Sequence, residues 1–303
     1  MIFGVVKENI LSRVKRHNFQ KNVTLLNQPA HGACTLYKRS VFEEVGSYSK
    51  KYDCQDGVYM WFKVINKYKL GNVNKPLFYY RQHRNSLTKK TSKIKKTKQL
   101  IFREFNTKKP KNVCFFPIRK LSELNQNTQK SKKIFRNKLK ELNKISQINK
   151  ILISSSDKDI KKIVLNLNSK KISFFERKNY FSNYGTRLSE LLYDFIKNNK
   201  SKFNNCDNVI LYTWNEQKFS YISHMIDNLE IFKLNCVIIV KTLRNLLFKH
   251  DGSGLKPVVK YNSGLQIERD IIYSQINGII AIKFKSFLKT KNVYHGKIGQ
   301  VIL

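Results

Sequence analysis

From Val113 onward, short apolar runs alternate with stretches of helical periodicity. The runs are VCFFP, KILIS, KISFF, VILYT and CVIIV, and apolar residues recur between them at helical spacing, as at Leu188, Leu191, Leu192 and Phe195. Nearly continuous apolar strands that alternate with helices are typical of a parallel sheet covered on both faces. Ligands of such sheets bind beyond the carboxyl ends of the strands. The polar strand ends are therefore candidate site residues: Arg119, Ser155 to Asp157, Arg177 and Thr213.

The chain is strongly basic. Its 303 residues include 59 Lys and Arg against 20 Asp and Glu, a net charge of +39. Such a balance predicts attraction to nucleic acid, anionic membrane surfaces or anionic nucleotides. The basic residues are spread along the whole chain, so a biased composition explains them as well as a binding face does. Nucleic acid is accordingly not the favoured partner, although a basic nucleic-acid-binding protein stays an alternative.

The lengths of the apolar runs and the spacing of the cysteines give further expectations. The sequence has no run of about 18 apolar residues and no signal-peptide pattern at its start, which predicts no membrane span and a cytoplasmic location. The five cysteines are scattered and form no C-x-x-C pair. We therefore expect reduced thiols rather than a zinc site or disulfides.

The segment from His31 to Thr88 carries a first group of motifs. Gln55-Asp56-Gly57 precedes an apolar helical pattern, which predicts Asp56 at a helix N-terminus, as a cap or facing a cleft. Ser40 and Glu43 form a capping-box pattern at an earlier helix. The segment also contains the motifs VFEEVGSY and, after a Pro-Leu strand, YYRQH.

The order of these motifs resembles the second half of family 2 glycosyltransferases, which have the GT-A fold. The resemblance implies that Asp56 is the general base that deprotonates a glycan acceptor. It places His31, Arg81 and His83 on the donor side. The nucleotide-binding half of that family, with its D-x-D motif, is not in this sequence.

A basic stretch, KKTSKIKKTKQLIFREFNTKKP, follows from Lys89 to Pro110, with a helix expected around Ile94 to Phe105. The predicted organisation is therefore a partial glycosyltransferase domain (1–90), a basic helix and linker (91–110) and an α/β domain (111–303) with a Rossmann-like, doubly wound, mainly parallel sheet.

The α/β region resembles the acylneuraminate cytidylyltransferases, which are nucleotide-diphospho-sugar transferases. Four stretches carry the resemblance: FFPIRK, INKILISSSDKDI, ISFFERKNYFSNYGTRLSELLYDFI and IERDIIYSQINGIIAIKFKSFL. It implies transfer of CMP from CTP to an acidic, nonulosonic-type sugar, with Mg²⁺ as cofactor, in surface-glycan biosynthesis. A homodimer is a further implication. The residues implied are Arg119 and Lys120 for the phosphates, and Ser155, Asp157, Arg177 and Asn277 for the nucleotide and sugar.

This sequence also departs from the cytidylyltransferase pattern. The loop after Arg119 contains no glycine, and Thr213 to Phe219 replaces a proline-framed strand end. The sequence stops at KIGQVIL, just before the segment in which that family carries its paired metal-binding aspartates, and Asp157 and Asp159 are better explained as the opening of a helix. We expect a chain truncated at both ends. An enzyme and a degenerate, non-catalytic binding module therefore both stay open, as do the sugar and the acceptor.

Overall fold

The computed structural model describes residues 2–7, 10–16, 35–64, 67–69, 76–82, 91–105, 109–123, 128–178, 181, 185–214, 219–243, 245, 247–258 and 272–303. The chain divides into two compact units. The first unit comprises Met1–Thr107 and Leu243–Ile272, and the second comprises Lys108–Thr242 and Tyr273–Leu303.

The elements follow in chain order. They are β1 (Ile2–Lys7), β2 (Ile10–Arg16), α1 (Arg39–Val45), α2 (Asp56–Val64), β3 (Pro76–Gln82), α3 (Thr91–Phe105), β4 (Asn112–Pro117), α4 (Thr128–Asn143), β5 (Ile148–Ser155), α5 (Lys158–Asn166), β6 (Ile172–Glu176), α6 (Leu188–Asn198), β7 (Asn208–Tyr212), α7 (Ser220–Ile231), β8 (Cys236–Leu243), β9 (Phe248–His250), β10 (Leu255–Pro257), β11 (Ile272–Lys283), α8 (Phe284–Thr290) and β12 (Ile298–Ile302). Short 3₁₀ turns occupy Leu121–Glu123 and Lys200–Phe203.

The second unit contains a seven-stranded sheet in the order β12-β8-β11-β7-β4-β5-β6. Strand β4 runs parallel to β5 and β7, β5 runs parallel to β6, and β12 runs parallel to β8. Strand β11 runs antiparallel to β7. The partial order β6-β5-β4-β7 reverses its direction of progress between β4 and β7, which makes that position a topological switch point of a doubly wound sheet.

The core lies on both faces of this sheet. Along β4, Cys114 and Phe116 face one side, while Val113 and Phe115 face the other, because successive strand side chains point to opposite faces. Helices α4, α5 and α7 cover the first side, and α6 and α8 cover the second. The sequence prediction of a mixed α/β protein with a mainly parallel, Rossmann-like sheet is confirmed.

The first unit has a smaller sheet, ordered β2-β1-β3, in which β1 is antiparallel to β2 and parallel to β3. Helix α2 buries Met60, Trp61 and Val64. Helix α3 buries Ile101 and Phe102, and its Phe105 ring stacks on Phe62 at 4.9 Å between centroids. The hairpin of β9 and β10 also belongs to this unit.

One local prediction in the first unit is wrong. Helix α1 begins at Arg39, its N-cap is Lys38, and no side-chain hydrogen bond caps it. Ser40 is the second residue of this helix and so is not its N-cap, and the Glu43 carboxylate pairs with Arg39 one turn earlier (3.1 Å). Within the described part of the chain, no helix has both the length and the apolar character needed to cross a bilayer.

Candidate active site at the carboxyl edge of the large sheet

Residues at the carboxyl ends of β4, β5 and β6 form one hydrogen-bonded group. This carboxyl-edge group comprises Arg119, Ser154, Ser155, Asp157 and Arg177. Ser155 is fully buried at the end of β5, and its hydroxyl donates to the Arg119 carbonyl after β4 (3.1 Å). The carbonyl of Ser154 accepts from the Ile118 amide (3.0 Å) and from the Arg177 guanidinium (2.8 Å). Three strand ends are thereby joined at the carboxyl edge, beside the switch point between β4 and β7.

The Asp157 side chain joins the turn after β4 to the start of α5. Its Oδ1 accepts from the amides of Asp159 (2.8 Å) and Ile160 (3.3 Å), which makes it the N-cap of α5. Its Oδ2 accepts from the Leu121 amide (2.9 Å), so the same carboxylate holds the segment that carries Arg119 and Lys120. Sequence reasoning predicted the helix-opening role of Asp157, and the capping bonds confirm it.

The charged groups at this edge are mostly basic. Arg177 is buried, with 7% of its surface exposed, whereas Arg119 is half-buried and Lys120 is exposed. A guanidinium offers several donors in a fixed plane, and an ammonium offers a compact point charge, so both suit phosphate oxygens. Of these three side chains, Arg119 and Lys120 reach solvent, whereas the Arg177 guanidinium donates to the Ser154 carbonyl.

The end of β7 completes the edge. The Thr213 amide and hydroxyl both donate to the carbonyl of Gly278 in β11 (2.7 and 3.3 Å). Gly278 has φ +128°, a backbone conformation that favours glycine. This conformation explains why glycine follows Asn277 at this position. Asn277 lies in β11, but its side chain is outside the described residues.

Sequence reasoning missed Ser154. The Ser154 carbonyl accepts from both the Ile118 amide, just after β4, and the Arg177 guanidinium. The Ser154 side chain itself is buried, and the residue lies within the apolar strand β5. The only sequence signal is the run Ser154-Ser155-Ser156 after three apolar residues, which predicts a polar strand end but does not indicate the role of each serine.

The remaining predicted residues lie in the first unit. Asp56 is exposed at the start of α2, as predicted, and Gln55 before it has φ +64°. Within the described residues, no hydrogen bond or ion pair holds the Asp56 carboxylate. Arg81 pairs with Val6 between β3 and β1 through the backbone. The Arg81 side chain, His31 and His83 lie outside the described residues.

The thiols in the described ranges do not belong to a site. Cys54, Cys114, Cys206 and Cys236 are free and buried. Burial raises the pKa of the Cys114, Cys206 and Cys236 thiols to about 12, so they stay protonated at neutral pH.

The fold and the carboxyl-edge group define a doubly wound α/β protein with a basic edge at its switch point. No known protein-family profile matches the chain, and no curated protein matches it. Among solved structures, 4-diphosphocytidyl-2C-methyl-D-erythritol synthase from Anaerococcus prevotii DSM 20548 is 12% identical, with 64% of this chain and 87% of that chain covered and a TM-score of 0.45.

Two further structures are similar. CMP:2-keto-3-deoxy-manno-octonic acid synthetase complexed with CTP is 10% identical, covers 64% of this chain and 90% of that chain, and has a TM-score of 0.43. The bifunctional IspDF from Campylobacter jejuni is 13% identical, with 64% and 50% covered and a TM-score of 0.39. At these identities the similarities assign neither a substrate nor a residue role to this chain.

Proposed function

We propose that the second unit binds CTP at the carboxyl edge and transfers CMP to an acidic, nonulosonic-type sugar, as a step in nucleotide-sugar metabolism for surface glycans. The observation that supports this proposal best is the carboxyl-edge group. Arg119, the pair Ser155 and Asp157, and Arg177 come from three segments that are each at least 20 residues apart in sequence, yet hydrogen bonds join these segments beside the switch point. Doubly wound sheets bind nucleotides at such positions.

The proposed roles follow from exposure and contacts. Arg119 and Lys120 follow β4 directly and would bind the triphosphate, because their charges suit phosphate oxygens. Arg177 is a positioning residue, since its buried guanidinium holds the Ser154 carbonyl and so fixes the ends of β5 and β6 relative to each other. Ser155 positions Arg119 through the Arg119 carbonyl.

In the proposed reaction, the anomeric hydroxyl oxygen of the sugar attacks the α-phosphorus of CTP. A new O–P bond forms, the bond from the α-phosphorus to the bridging oxygen breaks, pyrophosphate leaves, and the hydroxyl proton passes to solvent. Negative charge increases on the phosphate oxygens in the transition state. Cationic groups that are already in place stabilise that charge without reorganisation, which is the task proposed for Arg119 and Lys120.

The described residues do not fit a site for the predicted Mg²⁺. A magnesium site uses carboxylate oxygens. Across the described ranges, no three potential metal ligands come together. Both oxygens of Asp157 accept backbone amides, and Asp159 pairs with Lys132 at 2.9 Å. The homodimer and the cytoplasmic location stay predictions.

A substitution at Arg119 tests the proposed reaction. We expect Arg119→Ala to lower the rate of CMP-sugar formation from CTP and a nonulosonic acid by about 10²-fold or more, because one preorganised charge contact to the transition state is lost. Product formation is measured chromatographically with the full chain. The control is Lys111→Ala, which removes the same charge from an exposed residue just before β4, at the opposite edge of the sheet.

Equal losses in the Arg119 and Lys111 variants would contradict the proposed site, because only total charge would then matter. CTP binding without any product in the wild-type chain would favour the alternative of a non-catalytic binding module. In that case Arg119→Ala should still weaken CTP binding.

For the first unit, we propose ancestry in the acceptor-side half of a GT-A glycosyltransferase, with Asp56 as the candidate base. Two observations favour this second proposal. The Asp56 carboxylate is exposed and held by no side chain in the described part of the chain, so it is available to a substrate. Gln55 takes a left-handed backbone conformation directly before it, and strained conformations cluster at functional sites.

A further inference from the structure

Positive charge is unevenly distributed among the helices of the second unit. Helix α4 contains six basic residues and one acidic residue, and α5 contains three basic residues and one acidic residue. By contrast, α6 has one basic and two acidic residues, and α7 has two acidic residues and no Lys or Arg. The short helix α8 has two Lys and no acidic residue, so nine of the twelve Lys and Arg residues of helices α4 to α8 lie on α4 and α5.

The charges of α4 and α5 share one outer surface. Both helices pack on the same side of the sheet, through Phe135 and Leu139 of α4 and Ile160 and Ile163 of α5. They are neighbours, because Lys132 of α4 pairs with Asp159 of α5 at 2.9 Å. Their exposed stripes therefore both point away from the sheet, on the same side.

The exposed stripe of each helix is basic. We define the α4–α5 basic face by its exposed side chains, which are Lys130, Lys133, Arg136 and Lys140 on α4 and Lys158, Lys161, Lys162 and Leu165 on α5. The α5 members recur at helical spacing of three, four and seven residues. Within the described part of the chain, no carboxylate pairs with Lys133, Arg136, Lys140, Lys158 or Lys162.

The chemistry of the face favours a lipid surface over a nucleic acid. Leu165 lies beside Lys161 and Lys162 with 63% of its surface exposed, and an apolar side chain among lysines suits the boundary between headgroups and acyl chains. Binding of single-stranded nucleic acid usually adds exposed aromatic side chains for base stacking. The only aromatic residue of α4 and α5 is Phe135, which is fully buried.

We propose that the α4–α5 basic face docks this protein on a membrane surface rich in anionic phospholipid, with Leu165 entering the headgroup region. Each Lys or Arg near such a surface contributes to binding, so the loss of several is additive and large. The proposal does not depend on the proposed nucleotidyl transfer, because none of the residues changed in its test belongs to the carboxyl-edge group.

Vesicle co-sedimentation of the full chain tests the docking. The probes are vesicles of phosphatidylcholine with about one third phosphatidylserine, and vesicles of phosphatidylcholine alone. We expect binding only to the anionic vesicles, and a loss of more than about a hundredfold in the variant Lys133→Gln, Arg136→Gln, Lys140→Gln and Lys162→Gln. A single Leu165→Ser variant should bind anionic vesicles several-fold more weakly.

The matched control removes four charges from the other side of the sheet, by Lys197→Gln, Lys200→Gln, Lys285→Gln and Lys289→Gln, all at exposed positions. We expect its vesicle binding to stay within about threefold of wild type, and circular dichroism should show both quadruple variants folded. Equal losses in the two quadruple variants would overturn the proposal. So would tight binding to duplex RNA or DNA with no binding to anionic vesicles, which would make nucleic acid the partner.

Discussion

Single residues decide how the strand ends of the second unit are joined. The sequence was sufficient to predict which positions are polar strand ends, because each follows an apolar run. It was not sufficient to predict that the Ser154 carbonyl would accept both Ile118 and Arg177. Those bonds depend on which strands are neighbours, and strand order is set by packing between distant segments rather than by local pattern.

Two aspartates that open helices should respond differently to substitution. Asp157→Ala should lower the free energy of unfolding by about 1–2 kcal/mol, because the cap of α5 and the bond to the Leu121 amide are both lost. Asp56→Ala should change it by less than about 0.5 kcal/mol at physiological salt, because the exposed carboxylate forms no hydrogen bond in the described structure. Chemical denaturation measures both values.

Substitutions of Asp56 also test the proposed glycosyltransferase ancestry of the first unit. Any glycosyl transfer from nucleotide sugars to simple glycan acceptors should be lost in Asp56→Asn, although this variant unfolds like wild type. Transfer that persists in Asp56→Asn would contradict the assignment of Asp56 as the base. A large loss of stability in Asp56→Ala would instead show that Asp56 is a structural cap.

The Glu104 carboxylate holds the C-terminal end of α3 against α2 and the segment before it. Glu104 accepts from the Lys51 ammonium (2.6 Å), the Tyr52 hydroxyl (2.5 Å) and the Tyr59 hydroxyl (3.2 Å). The hydrogen bonds from Lys51, and then Tyr52, hold the pKa of Glu104 below its ordinary value of about 4.5. A lowered pKa in the folded state means that the stabilisation is complete above the ordinary pKa and is lost as the pH falls through the lowered one.

We therefore expect Glu104→Gln to unfold at lower denaturant concentration than wild type at pH 6, with the difference shrinking as the pH is lowered below 4. Denaturation at a series of pH values, followed by tyrosine fluorescence, measures this. Glu43→Gln is the control, because Glu43 is 63% exposed and its only ion-pair partner among the described residues is Arg39 of its own helix. A constant difference between Glu104→Gln and wild type at every pH would contradict the expected role of the charge.

The elements themselves were largely predictable in the second unit. Helices α4 to α7 and strands β4 to β8 lie where the apolar periodicity predicts them, because the residues that face the core are apolar and recur with the period of each element. The antiparallel direction of β11 and the edge strand β12 were not predicted, since hydrophobicity specifies burial and not strand direction. In the first unit, the capping-box prediction at Ser40 was wrong because α1 begins at Arg39, which places Ser40 inside the helix.

For the whole molecule, the net charge has two separate consequences in the second unit. Arg119, Lys120 and Arg177 bring charge to the carboxyl edge, whereas the α4–α5 basic face presents charge on an outer surface. Composition alone gave the total of +39 but could not divide it between these places. The salt dependence of ligand binding distinguishes the carboxyl edge from the α4–α5 basic face, because salt screens the charges of a partly buried site less than those of an exposed face.

We propose that the carboxyl edge is a cytidine nucleotide site and not a general anion site. Calorimetric titration distinguishes these two kinds of site. The full chain is titrated with CTP, ATP and UTP, with Mg²⁺ present and at two salt concentrations. We predict binding that is selective for CTP and survives the higher salt. Equal heats from all three nucleotides that disappear at the higher salt would contradict the claim and leave only a non-specific effect of the net charge.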